Sequence, residues 1–260
     1  MFGWFRLRAE LGRWRQAGKR PKLWWRDDDA RTPTPHLRRL LVEATRAGVP
    51  LSLSVIPDGL NSELCAVVSP YPQVTVLQHG YRHLNEGGDR PSEFPANAAP
   101  EDIAVQLAQG WAKIAGFERR LPVYVPPWNN LKPNVRAALD LSGYLAVSIW
   151  GGDSEPGRLD AHVDLLRWNP GPRFAGHDRV LGKFRRQLLR RRRQRRWDEP
   201  IGILTHHLVQ DEDSWKFLSD FLQFAPLEAI ADWPEASVLF GCAARPPQSD
   251  ADVENEGREL

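Results

Sequence analysis

Cysteine is scarce in this chain: two residues among 260, Cys65 and Cys242, far apart and without metal-type spacing. That excludes a disulfide framework, and a buried free thiol is expected at each. Long apolar runs are also missing. None approaches the roughly 18 residues of a membrane span. The N-terminal "MFGWFRLRAELGRWRQAGKRP" is broken by Arg6, Arg8, Glu10 and Arg13, so it carries no secretory pattern. A cytoplasmic protein is the simplest expectation, with peripheral contact at an inner membrane face as the variant. Net charge is only +2, which excludes a polycation as a whole. No nucleic-acid recognition module is present, so no specific nucleic-acid partner is expected. No internal repeat occurs.

What is present is the pattern of an α/β domain. Short apolar segments bounded by Gly, Pro or Asp read as strands at 23–29, 51–57, 74–80, 122–128, 144–150, 162–168 and 201–207, with a weaker one at 237–241. Helical patterns alternate with them at 35–48, 100–120, 133–142 and 213–224. Strand alternating with helix predicts a parallel sheet with helices outside. Seven or eight units predict a closed or nearly closed barrel, with an open doubly wound sheet as the alternative. Residues 1–20 read as an amphipathic segment packed on the domain, 21–244 as the barrel, and 245–260 as a disordered acidic tail. Residues 87–100 read as a long loop of the kind that often carries function.

Charge is uneven. "KFRRQLLRRRRQRRWDEP" gathers Arg185, Arg186, Arg190, Arg191, Arg192, Arg193, Arg195 and Arg196, with Leu181, Phe184, Leu188 and Leu189 as an apolar stripe. A solvated helix face is one expectation. Contact of Arg185–Arg196 with an anionic surface is the other.

In a parallel barrel, reactive groups sit at the carboxyl ends of strands. The first strand ends in Asp27, Asp28 and Asp29, and the third in "LQHGYRH", with His79 and His83. The fourth ends in "YVPPWNN". The sixth carries "HVDLLRW", with His162 and Asp164, and the seventh ends in "ILTHH", with His206 and His207. Three adjacent carboxylates repel one another, so their place at the end of a buried strand asks for a reason. His79 and His83, four apart, can face one way on a turn. With one aspartate they make a set for Zn²⁺ or a similar divalent ion. Such an ion offsets one carboxylate and lowers the pKa of bound water. A second aspartate can then act as base, and a histidine opposite can protonate the leaving group.

Taken in order, "WRDDDA", "HGYRH", "YVPPWN", "HVDLLRW" and "ILTHH" resemble the five motifs of the polysaccharide deacetylases, the NodB-homology or family 4 carbohydrate esterase group. The resemblance spans Leu23 to about Val209. It implies a distorted (β/α)7 barrel and metal-dependent removal of an acetyl group from an N- or O-acetylated carbohydrate or glycolipid. It assigns Asp28 as base, and Asp29, His79 and His83 as ligands of zinc, with cobalt, nickel or manganese as alternatives. His206 is the acid, Asp164 its partner. The Trp128 N–H, after Pro127, faces the oxyanion, and Trp128 and Leu204 shape the acyl pocket. An Asp27–Asp28 register is the alternative. Arg26, two before the chosen pair, favours Asp28–Asp29 and leaves Asp27 at the surface or behind the site. The arginine usual in the third motif is missing, with Val125 in its slot, and Arg26 is a candidate replacement. His207 stands where an acid is usual, and Asn129 where a glycine is. A non-sugar amide hydrolase and an inactive glycan- or partner-binding protein are the alternative functions.

Overall fold

The computed structural model describes residues 2–88, 90–152 and 156–241. Nine strands and nine α-helices are defined among them: α1 (Phe2–Gln16), β1 (Leu23–Ala30), α2 (Pro35–Ala47), β2 (Leu51–Val55), α3 (Glu63–Val68), β3 (Val74–His79), α4 (Pro100–Lys113), β4 (Arg120–Val125), α5 (Pro133–Leu141), β5 (Ala146–Val147), β6 (Ala161–Asp164), β7 (Leu166–Arg167), β8 (Arg173–Phe174), α6 (His177–Gln194), β9 (Ile201–Thr205), α7 (Glu212–Leu222), α8 (Ala225–Ile230) and α9 (Ala236–Phe240). Seven strands form one parallel sheet in the order β5-β4-β3-β2-β1-β9-β6, and β7–β8 form an antiparallel hairpin. Isolated bridges Val147–Arg158 and Trp150–Ala161 tie the ends of the sheet together. The result is the curled (β/α)7 barrel expected.

Local chemistry explains the elements. Helix α2 begins where Thr34 accepts the Leu37 N–H at 3.1 Å and Pro35 presets the first turn. It ends at Gly48, whose φ of 63° suits a residue without Cβ. Strand β1 separates two environments by its period of two. Leu23 and Trp25 join the large core under the outer helices. Trp24 faces the barrel interior, edge-on to Phe240 at 5.8 Å.

Several expected boundaries move. The weak strand at 237–241 is helix α9, and its Ala236 and Phe240 pack on Leu77, Leu121 and Val123. A short apolar run does not by itself tell strand from helix. The pattern at 100–120 ends as helix at Lys113, because β4 already begins at Arg120. Strand 122–128 stops at Val125, where Pro126 and Pro127 can give no N–H to a ladder. Segment 162–168 breaks after Asp164 into the β7–β8 hairpin. Helix α3 has no counterpart in the sequence expectation. No described helix is long and apolar enough to cross a membrane.

Helix α1 packs against α6 and α8, with Leu7, Leu11 and Trp14 buried. The Trp14 Nε1 donates to the Leu188 carbonyl at 3.3 Å. Half of the arginine run, Arg190, Arg191, Arg192 and Arg196, is engaged by its own protein. Arg191 is fully buried and donates to the carbonyls of Glu199 and Pro200. Arg192 pairs with buried Glu10 at 2.5 Å. Cys65 is a half-buried free thiol, and Cys242 and residues 245–260 lie outside the described residues.

Candidate active site

Three adjacent aspartates leave β1 in three directions. Arg26 and Asp28 share the interior face with Trp24, while Asp27 points to the opposite side. Asp29 takes a positive φ of 74° at an irregularity in the β1–β2 ladder, which turns it to the rim. Left-handed backbone is costly for a non-glycine residue and tends to cluster where function requires it. His83, Trp128 and Asn129 are also left-handed, at 58°, 55° and 54°. All four lie around one cleft.

Each aspartate has its own basic partner. Asp27 is fully buried, with its Oδ1 2.5 Å from His207 Nδ1. Its Oδ2 accepts from the Thr205 hydroxyl at 2.6 Å and the His207 N–H at 3.1 Å. A surface position for Asp27 is therefore ruled out; it binds the end of β9. Asp28 receives Arg26 Nη2 at 2.9 Å. Burial pushes the Asp28 carboxyl up, but Arg26, then His79 and His206, outweigh it and hold it below the ordinary carboxylate value. Asp29 Oδ1 lies 3.1 Å from His79 Nε2 and 3.3 Å from His83 Nε2.

The Asp29, His79 and His83 donor atoms all lie within 4.8 Å of one another, an arrangement that fits a metal ion. His79 Nδ1 lies 2.9 Å from the Val125 carbonyl. Donating there leaves the Nε2 lone pair facing the Asp29 oxygen, so a proton or a cation must lie between them. Burial lowers His79, but Asp28 and Asp29 reverse that and raise it overall. His83 goes the other way: burial and the charge of His79 bring it down to about 4, against Asp29. A neutral imidazole is the form that binds metals. The donor set of two nitrogens and one oxygen therefore suits zinc or a neighbouring ion.

A tight turn holds the histidines, where a helix was the other option for their spacing. Glu93 makes that turn. Its buried carboxylate accepts the N–H groups of Tyr81, Arg82 and His83, the first and last at 2.9 Å. Burial pushes the Glu93 carboxyl up against these donors. Gly80 must be glycine here: φ is 58°, and a Cβ would lie 2.2 Å from Glu93 Oε2. Glu93 lies in the 87–100 loop, so its region was marked in sequence but the residue was not.

Arg26 is fully buried and reaches across the interior. Its Nη1 donates to Ser148 Oγ at 2.7 Å and its Nη2 to Asn129 Oδ1 at 2.6 Å, besides Asp28. Neither Ser148 nor the Asn129 contact was visible in sequence, because both depend on strands far apart in the chain. His206 Nε2 lies 4.0 Å from Asp28 Oδ2. Asp28 Oδ1 and His206 Nδ1 are buried without a partner among the described residues, as groups awaiting a ligand or water are.

The expected direct bond from Asp164 to His206 is not formed. Asp164 accepts instead from the Leu166 N–H and Trp168 Nε1, both at 2.8 Å, because the chain turns back at once into the hairpin. The Trp168 ring then stands edge-on to His206 at 4.6 Å. Burial raises the Asp164 carboxyl, opposed by His206. Trp128 is 39% exposed, so it is no core residue, and its ring lies 4.6 Å from that of His83. Pro127 and Leu204 are buried, Leu204 paired with Arg26 across β1 and β9. His162 is buried against Gly202 N and the Arg191 guanidinium, away from the donor cluster.

No protein-family model and no curated protein matches the chain. Solved structures do. A peptidoglycan N-acetylglucosamine deacetylase superposes with TM-score 0.57 at 13% identity, over 88% of this chain and 91% of its own. A family 4 carbohydrate esterase from Streptomyces lividans gives 0.53 at 15%, over 81% and 88%. A family 4 pseudoenzyme from Bacillus anthracis gives 0.50 at 16%, over 80% and 62%. The chain has the fold of the family 4 carbohydrate esterases, the NodB-type barrel.

Proposed function

We propose that this protein is a divalent-metal-dependent hydrolase that removes an acetyl group from an N- or O-acetylated carbohydrate. The observation that carries this reading is the convergence of Asp29, His79 and His83 beside a separately held carboxylate, Asp28. In it, Asp29, His79 and His83 hold the cation, with zinc as the first choice. A cation there supplies Lewis acidity to water and to the scissile carbonyl. Asp28, kept ionised by Arg26, takes the proton from the attacking water. The Trp128 N–H faces the oxygen that gains negative charge. His206, across from Asp28, gives a proton to the departing amine or alcohol. Arg26 positions the base, the task left open by the arginine missing from the third motif.

Similarity to a pseudoenzyme favours a second reading, an inactive glycan binder. Arg26 on Asp28 and the intact donor set argue against it. The test is bound metal in the purified protein, followed by acetate release from acetylated sugar oligomers with and without chelator. Metal with chelator-sensitive turnover is the expected result. Metal-free protein without turnover on any of these substrates defeats the enzyme reading.

A further inference from the structure

Helix α1 has two faces, and the fold explains only one of them. Leu7, Leu11 and Trp14 are buried against the domain, and Trp4 packs beside Phe217, Phe221 and Phe224. The opposite face carries Phe2 and Phe5, which are 79% and 72% exposed. Three residues apart, they stand on one side of the helix. Single exposed apolar residues are ordinary, but these two adjoin each other in basic surroundings. By the helical period, Arg6 and Arg13 fall on one edge of the Phe2–Phe5 stripe and Arg8 and Arg15 on the other. Glu10 is the only acid of α1, and it is buried between Arg13 and Arg192.

Helix α6 continues this surface. It runs parallel to α1: Gly3 lies beside Leu181, and Trp14 beside Leu188 and Trp197. Arg192 reaches Glu10 across the seam between the helices. Arg185 stands two turns before Arg192 and so on the same seam. Arg186 and Arg193, likewise seven apart, form the next stripe outward, and both are exposed. Arg6, Arg15, Arg185, Arg186 and Arg193 form no ion pair among the described residues. Asp178 is the only acid of α6.

A second copy of the chain is a poor occupant for this face, because a two-fold contact sets the arginines against themselves. A soluble polyanion uses the arginines and leaves the phenylalanines in water. A bilayer rich in anionic lipid uses both. Phenyl rings enter the headgroup boundary, while arginine stems lie along it and their guanidiniums reach lipid phosphates. We propose that the outer face of α1, with the adjoining stripe of α6, docks this protein on an anionic membrane surface. Phe2 and Phe5 are the inserted residues, and Arg6, Arg185, Arg186 and Arg193 meet the headgroups. The Phe2–Phe5 end of α1 is also the barrel end that carries the candidate site, since α1 leads into the amino end of β1. The proposal stands independently of the deacetylase reading.

Vesicle sedimentation of the full chain tests it. The probes are vesicles of phosphatidylcholine alone, vesicles of phosphatidylcholine mixed with phosphatidylglycerol, and heparin as a soluble polyanion. Binding to the mixed vesicles is expected to be at least about tenfold tighter than to phosphatidylcholine alone, and to weaken as salt rises. The triple variant Arg185→Ser, Arg186→Ser, Arg193→Ser removes three contacts of about fivefold each and should weaken binding about 100-fold. The double variant Phe2→Ser, Phe5→Ser should weaken vesicle binding about tenfold and leave heparin binding unchanged. Circular dichroism of both variants should match the wild type, because none of these side chains belongs to the core. No preference for the anionic vesicles overturns the proposal. A phenylalanine variant that binds vesicles as well as the wild type also overturns it, and leaves a surface for soluble polyanions instead.

Discussion

Asp27 and Asp28 are neighbours in sequence, both buried, both paired with a basic side chain, and opposite in environment. Asp27 has both carboxylate oxygens engaged, by His207 and Thr205. Asp28 has one oxygen on Arg26 and the other without a partner among the described residues. A fully satisfied buried carboxylate holds structure together, whereas a half-satisfied one is a place for a reacting molecule. The difference also accounts for the row of three acids. They are not one repelling cluster but three carboxylates split by the strand's alternation and by the turn at Asp29.

The largest effect expected is at the rim. Asp29→Asn together with His79→Gln should abolish metal binding, read by elemental analysis, and bring acetate release to background. Metal retained at wild-type stoichiometry would show that these residues are not the ligands. Asp28→Asn should slow acetate release by about 10²- to 10⁴-fold, the usual worth of a general base, with metal content unchanged. Asp27→Asn should do the converse. It disrupts the buried hydrogen bonds to Thr205 and His207 and costs about 1–3 kcal/mol of stability, read as a shift in the denaturant midpoint, with turnover at permissive temperature within a few-fold of wild type. If Asp27→Asn is the silent variant in stability and the dead one in turnover, the contrast between the two aspartates is inverted.

Arg26→Met gives a smaller and more specific effect. Arg26 lowers the Asp28 pKa, so its removal raises it. A base works only when deprotonated, so the acidic limb of the kcat/KM profile should move to higher pH. An unmoved limb in a folded variant separates Arg26 from the base. Glu93→Gln, which removes the charge that gathers three N–H groups, should weaken metal affinity about 10- to 100-fold, as loss of a ligand's support does, without removing the site.

Much of this was legible along the chain. The parallel barrel followed from strand–helix alternation. Strand-end positions gathered Asp27, Asp28, Asp29, His79, His83, His162, Asp164, His206 and His207 as candidates, and the resemblance to the deacetylase motifs singled out Asp28, Asp29, His79, His83 and His206 among them. The Arg26 contact was anticipated as a guess, because an arginine two residues before an acid shares its face on a strand. Glu93 was not found. One of two acids in a 14-residue irregular loop, it has no periodicity to give it away, and its partners are backbone amides that any residue carries. The link from Asp164 to His206 was misjudged for a similar reason: nothing in "HVDLLRW" shows that the chain folds back after Asp164.

By itself, the order of residues determined which groups stand at the ends of strands, because alternation and strand punctuation are local. Only the tertiary structure decided what each group faces. The partners of Asp27 come from the end of β9 and the residues after it, those of Asp28 from β1 itself and from His206 after β9, and those of Asp29 from β3 and the turn after it. Which partner each carboxylate receives depends on β-ladder register and a positive φ, and neither is carried by any single residue type.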